Sequence, residues 1–285
     1  MKFAIVGAGA VGLLTACLLK DAGNEVQLIV RREEQAKLIN GQGVLKGGVR
    51  YNITANTGWQ AIAPEEYVVV AVKYDGLKNV LPFLQTRALT NPVVFLQNGM
   101  LHIETITKLP QTNIAAASVE HGVVKVSDHE IRHTGNGVYK FALLKGEGNI
   151  FRPLTAMPGV RAEWHDDADR LLFRKVLLNA LINPLTALME LKNGQLLSNP
   201  YAFALLERMY EELADAFPEM VSLLPFEEVA ALCNSTSENT SSMLADKLAG
   251  KKMELDTILL YTLNRSKKEL PILQSVYQLL KSYEV

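Results

Sequence analysis

The chain is predicted to fold as an α/β N-terminal domain followed by an all-helical C-terminal domain. Three observations predict it. Short apolar runs alternate with helix-length segments through the first half, and three closely spaced glycines join the first run to the first helical segment. Beyond His165-Asp166-Asp167, apolar residues recur three and four apart instead of alternating. Strands separated by helix-length crossovers imply a parallel sheet covered on both faces.

The elements follow in order. Lys2–Val6 and residues 25–30, 67–72 and 92–97 are apolar or β-branched runs that read as strands. Ala10–Asp21 has helical period, and Ala22-Gly23-Asn24 stops it. From about residue 113 to 145 the segments shorten. Gly135-Asn136-Gly137 reads as a hairpin turn, so the first domain is expected to end in antiparallel strands, residues 160–164 being the last. An aspartate ahead of Ala168 is an expected helix N-cap. Helices are then expected over residues 201–217, 237–248, 255–266 and 272–283. The division falls at 1–165 and 166–285, with a ligand cleft expected between the two domains.

Composition narrows the function. The chain has 285 residues, 48% hydrophobic and 21% charged, as in soluble globular proteins. A net charge of −1 and charge doublets as short as Arg31-Arg32 offer no field for nucleic acid or an acidic membrane. One lysine leads straight into the first strand, so no signal peptide is expected, and apolar stretches such as residues 68–72 are too short to cross a bilayer. Cys17 and Cys233 show no ligand spacing, so no metal site is expected and a reducing cytoplasm is the expected setting. There is no internal repeat and no low-complexity segment.

The glycines stand in Gly7-Ala8-Gly9-Ala10-Val11-Gly12, between a strand and a helix. Gly7 allows the tight turn, Gly9 lets a pyrophosphate approach the backbone, and Gly12 lets the helix pack against the strand. The helix N-terminus then offers free amides to the phosphates. In this context the motif predicts a Rossmann-type dinucleotide-binding domain rather than a purely structural turn. At the end of the second strand, an acidic residue would favour NAD; here Arg31 and Arg32 stand, and a guanidinium suits the 2′-phosphate of NADP. The alternative is a pair of solvated arginines, and Glu33 and Glu34 lie beside them. Lys73 and Asn98-Gly99 follow two further strands, where ligands bind in such sheets, although Asn-Gly is also an ordinary turn. His121 reads as structural rather than catalytic.

In RKVLLNALINPLTAL, Lys175, Asn179 and Asn183 are four apart and share one helix face. The rest of that helix is apolar enough to be buried. One ammonium and two amides in line suit a polar small molecule, with an interhelical hydrogen-bond network as the alternative. Pro184 would free a carbonyl and bend the helix. Residues 238–246 and Glu254 with Asp256 read by default as helix caps and dipole partners.

The set as a whole resembles the ketopantoate reductase family: GAGAVG, Lys73, Asn98-Gly99-Met100, the KVLLNALINPLTAL helix, Asn193-Gly194, NTSSML, and Glu254 with Asp256. The likeness covers nearly the whole chain. It implies NADPH-dependent reduction of 2-dehydropantoate to (R)-pantoate, on the route to pantothenate and coenzyme A. It implies that Gly7, Ala8, Gly9, Ala10, Val11, Gly12 and Arg31 hold the dinucleotide, with Lys73, Asn98, Val123 and Glu254 also at the cofactor. Lys175 matches the proton donor. Asn98, Lys175, Asn179, Asn183, Asn193, Asn239, Ser241 and Ser242 match substrate-binding positions. Met253, Leu259-Leu260 and Leu273 depart from the family pattern and bear on the exact 2-oxo acid. A reductase of another 2-oxo acid and an NADP-binding sensor without chemistry are the rivals. The apolar C-terminal helices would suit a homodimer interface or a monomer core equally.

Overall fold

The first strand has no polar residue after Lys2 because both of its faces are covered. Phe3 and Ile5 join one core cluster, with Leu13, Leu14 and Cys17 of the first helix; Ala4 and Val6 join another, with Leu77, Val80 and Leu84. The computed structural model describes residues 1–86 and 90–284. They form two compact units: Met1–Gln97 with His102–Leu171, and Leu172–Val285 with the Asn98–Leu101 turn.

Unit one runs β1 (Lys2–Val6), α1 (Ala10–Asp21), β2 (Glu25–Ile29), α2 (Glu33–Gln42), β3 (Val44–Lys46), β4 (Val49–Tyr51), β5 (Thr54–Asn56), β6 (Tyr67–Val70), α3 (Tyr74–Thr86), β7 (Val93–Phe95), α4 (Ile103–Thr107), β8 (Ile114–Val119), β9 (Gly122–Lys125), β10 (Glu130–Gly135), β11 (Tyr139–Lys145) and β12 (Ala162–His165). The main sheet has the order β12-β11-β8-β7-β6-β1-β2-β5, parallel from β5 through β8. A smaller sheet has the order β4-β3-β10-β9.

Two expectations are corrected. Gly135-Asn136-Gly137 is not a hairpin turn. β10 pairs antiparallel with β9 in the smaller sheet, and β11 pairs antiparallel with β8 in the larger, so these residues carry the chain between sheets. The hairpin lies earlier, between β9 and β10, where the Val126 and Ser127 amides donate to the Glu130 carbonyl at 2.9 and 3.2 Å. β12 pairs parallel with β11, so the last strand is not antiparallel. Turn residues say where the chain bends, not which strand it meets next.

α5 (Ala168–Met189) begins where Asp167 Oδ1 accepts the Arg170 amide at 2.9 Å, the expected cap. It has the length and hydropathy of a membrane span, yet 83% of its most apolar window is buried, as for a core helix. After it come α6 (Gln195–Ser198), α7 (Pro200–Ala216), α8 (Met220–Leu223), α9 (Phe226–Ser235), α10 (Ser242–Leu248), a π-helical turn over Asp256–Leu260, α11 (Tyr261–Arg265) and α12 (Pro271–Lys281). The helix expected from residue 237 starts only at Ser242. The Asn193 and Gly194 amides hold the carbonyls of Asn239 and Ser237, both at 3.1 Å, and keep that segment out of the helix as a turn. Glu212 of α7 accepts the Ile272 and Leu273 amides at 2.8 and 3.0 Å, capping α12.

His102, just ahead of α4, is buried and its Nδ1 has no partner among the described residues. Burial pulls its pKa down to about 4 from 6.5. The unfolded chain therefore binds the extra proton first. Stability falls as pH drops from 6.5 through 4, and above 6.5 this group has no effect. We expect His102→Leu to remove roughly 2–3 kcal/mol of that acid loss, read from urea melts between pH 7 and 4.

Candidate functional site

In unit one the glycine turn has the shape that its sequence demands. Gly7 has φ +105°, and a Cβ there would lie 2.7 Å from Val72 Cγ1. A Cβ on Gly12 would lie 1.9 Å from the Gly7 carbonyl oxygen, so helix and turn can touch only without it. At Gly9, the N-cap of α1, a Cβ would meet nothing within 4 Å. The space beside the helix amides is open on the side where a pyrophosphate would approach. The residues present fit a dinucleotide.

Ala8 is buried, and Ala10 and Val11 are half-buried in the first turn of α1. Arg31 is exposed after β2 and has no hydrogen bond or ion pair among the described residues. Arg32 pairs with Asp128 at 2.5 Å. Lys73 is exposed in the turn between β6 and α3, and Val123 is half-buried in β9. His121 is part of the framework: its Nδ1 accepts the Gly137 amide at 3.1 Å and lies 3.1 Å from His133 Nε2. Burial lowers its pKa to about 4.

In unit two, Lys175, Asn179 and Asn183 line one face of α5. Lys175 is half-buried; Asn179 and Asn183 are 9% and 7% exposed. Asn179 makes no side-chain hydrogen bond among the described residues, and Asn183 makes one, to Ser242 Oγ at 3.5 Å. The interhelical network foreseen as the alternative exists, but one turn later. Thr186, fully buried, lies near Ile182 O, Asn183 O and Ser241 Oγ at 3.0, 2.9 and 2.7 Å. Thr186 is a residue that sequence reasoning missed, although it stands three after Asn183 on the same stripe.

Ser241 and Asn193 are engaged within the protein. Ser241 Oγ also accepts the Leu244 amide, capping α10, and Asn193 Nδ2 donates to Thr236 Oγ1 at 2.9 Å. Asn193 Oδ1 is buried with no partner among the described residues. Asn239 is half-buried and its carbonyl accepts the Asn193 amide; Ser242 is exposed at the start of α10. Asn98 donates through Nδ2 to Glu254 Oε2 at 3.2 Å. The turn is tight because Gly99, at φ +80°, leaves no room for a Cβ beside the Thr257 carbonyl, 2.3 Å away. Asp256 instead binds Tyr277 and Lys281 of α12.

A dinucleotide turn on a parallel sheet, together with a helical unit presenting a lysine, under-bonded amides and a carboxylate, defines a nicotinamide-dependent oxidoreductase. The comparisons with known proteins make this particular. The family model "Ketopantoate reductase PanE/ApbA" matches residues 3–146, and its C-terminal counterpart matches 167–284. The 2-dehydropantoate 2-reductase of Listeria monocytogenes is 32% identical, the alignment covering 100% of this chain and 97% of that one. That of Bacillus subtilis is 34% identical over 93% and 91%. A crystal structure of a probable 2-dehydropantoate 2-reductase from Bacillus subtilis superposes with TM-score 0.86 at 33% identity, covering both chains fully. D-mandelate dehydrogenase with NADH has TM-score 0.85 at 22% identity, a likeness of fold. The chain belongs to the ketopantoate reductase family. It is an oxidoreductase, and NADPH is the cofactor of that family.

The glycines can be separated experimentally. Gly9→Ala should fold normally and lose at least about tenfold in NADPH affinity by fluorescence titration, because its Cβ enters the open space. Gly12→Ala should instead cost roughly 2 kcal/mol or more of stability in thermal or urea melts.

Proposed function

We propose that this chain reduces 2-dehydropantoate to (R)-pantoate with NADPH, Lys175 acting as the proton donor. The observation that carries the reading is the α5 stripe. Buried amides normally find partners inside the protein, and Asn179 has none among the described residues beside a half-buried lysine. A small 2-oxo acid offers the acceptors that such donors lack.

Gly7 to Gly12 hold the pyrophosphate of NADPH and Arg31 meets its 2′-phosphate, with Lys73, Asn98, Val123 and Glu254 also at the cofactor. NADPH, when bound, supplies the hydride that reaches the C2 carbonyl carbon. The Lys175 ammonium stabilises charge developing on the carbonyl oxygen and delivers a proton to it. Asn98, Asn179 and Asn183 orient the carboxylate and carbonyl, and Ser242 with Glu254 takes the hydroxyl end. Asn193, Asn239 and Ser241 complete the substrate segment.

The departures from the family pattern bear on helix packing and on the exact 2-oxo acid. Met253, Leu259 and Leu273 are buried and Leu260 is half-buried, so these differences are first of all ones of packing. The two thiols suit a reducing cytoplasm: both are free and buried, with pKa values pushed up to about 12 for Cys17 and about 11 for Cys233. The ketopantoate reductase of Staphylococcus aureus is described as dimeric, and a homodimer is the assembly we propose here.

The test is NADPH oxidation with ketopantoate and a panel of other 2-oxo acids, where ketopantoate should give the highest kcat/KM. No turnover with any of them would leave the sensor reading. Lys175→Ala should lower kcat roughly 10²–10⁴-fold while NADPH still binds; near-normal turnover would remove its role. Glu254→Gln should chiefly raise KM for the oxo acid, whereas a purely helix-stabilising carboxylate would cost melting temperature and leave KM alone.

A further inference from the structure

The turn between β2 and α2 presents two adjacent guanidinium groups, and only one is open. Arg32 is held on Asp128, at the tip of the β9–β10 hairpin, at 2.5 Å. Asp128 also takes the Lys125 ammonium at 2.9 Å. Arg32 and Lys125 together keep its carboxyl below the usual aspartate range, so it is anionic at neutral pH. The same tip is fixed a second time. The buried Gln35 donates through Nε2 to the Asp128 carbonyl at 2.8 Å and to the Ala8 carbonyl, inside the glycine turn, at 3.2 Å. Glu33 is engaged with the Thr57 hydroxyl. Arg31 alone of the two arginines has no partner among the described residues.

A 2′-phosphate is dianionic or nearly so and takes a guanidinium through two parallel hydrogen bonds. Two adjacent arginines would ordinarily both turn to it. For Arg32 to do so it must leave Asp128, whose carboxylate would then keep only the Lys125 ammonium. NADH has no such phosphate and does not sense the difference. We propose that Asp128 is a specificity-determining residue for the coenzyme: by holding Arg32 on the hairpin, it withholds a second guanidinium from the 2′-phosphate and leaves discrimination to Arg31. This rests on the reading that Arg31 meets that phosphate.

The test measures Kd for NADPH and for NADH by fluorescence titration on the wild-type enzyme, Asp128→Asn, Arg32→Ala, the Arg32→Ala/Asp128→Asn double variant and Arg31→Ala. Asp128→Asn should raise the NADH:NADPH Kd ratio roughly three- to tenfold, with NADH affinity unchanged. The gain should vanish in the double variant, and Arg32→Ala alone should leave the ratio within about twofold of wild type. Asn at 128 keeps the backbone carbonyl that Gln35 uses, so the hairpin stays attached, and NADH affinity reports whether the pocket is intact. An unchanged ratio in Asp128→Asn, an equal loss for both coenzymes, a gain that survives removal of Arg32, or a collapse of the ratio in Arg32→Ala alone would each overturn the proposal. Arg31→Ala answers the separate question. If the ratio falls there and does not rise in Asp128→Asn, only the role of Asp128 is lost; if Arg31→Ala leaves it unchanged, the reading of Arg31 itself fails.

Discussion

The constraint on which unit two depends is the burial of α5. A helix apolar on nearly every side has to be wrapped by other helices, and α5 has 83% of its central window covered. Each polar group that it carries into that environment must find a partner or cost about 1–3 kcal/mol. Thr186 is satisfied within the protein, its one hydroxyl proton having two carbonyls of its own helix and Ser241 Oγ within reach. Asn179 is not, and Asn183 makes only a long contact. The same helix thus carries a satisfied polar position and, one and two turns before it, unsatisfied ones. The first kind fixes α10 against α5; the second kind keeps donors and acceptors to spare.

Unit one obeys a different constraint, close approach of backbone to backbone. Gly7 and Gly12 are required by the fold itself, since a Cβ at either would strike Val72 or the Gly7 carbonyl. Gly9 is not required by any contact. A motif of three glycines therefore separates into two that the turn needs and one that leaves space beside the α1 amides. That separation adds to the spacing, because it leaves Gly9 without a packing demand at the one position where a pyrophosphate would need open backbone.

Much of this was legible in the sequence, and what was not has a common physical cause. β1, α1, the glycine turn, the Asp167 cap and the α5 stripe are local patterns, set by residues within a turn or two of one another. β3, β4 and β5 are three residues each, too short for any period to register. Gly135-Asn136-Gly137 was misread because strand pairing is non-local: β11 meets β8, across the whole β9–β10 excursion. The ties of Asp128 to Arg32 and Gln35 span 96 and 93 residues, beyond any local pattern. Ser241, expected at the substrate by resemblance and a cap by default chemistry, is found acting as the cap.

The two units follow one rule at their polar positions, and the rule separates scaffold from site. In each unit the fold ties down one polar group and leaves another open. Arg32 is bound to the hairpin and Arg31 is not; Thr186 is bound to α10 and Asn179 is not. The tied member fixes the backbone from which the open one projects, so the open group is positioned without using its own donors. Ordering a long side chain on a ligand costs rotamer entropy, and a rigid base limits that loss to the side chain itself. A substitution at an open residue should therefore act through direct loss of a ligand contact, whereas removal of the exposed Arg32 should leave the contacts of Arg31 nearly unchanged. The two kinds of variant are most clearly distinguished at buried positions, where a tied group such as the Thr186 hydroxyl also carries stability.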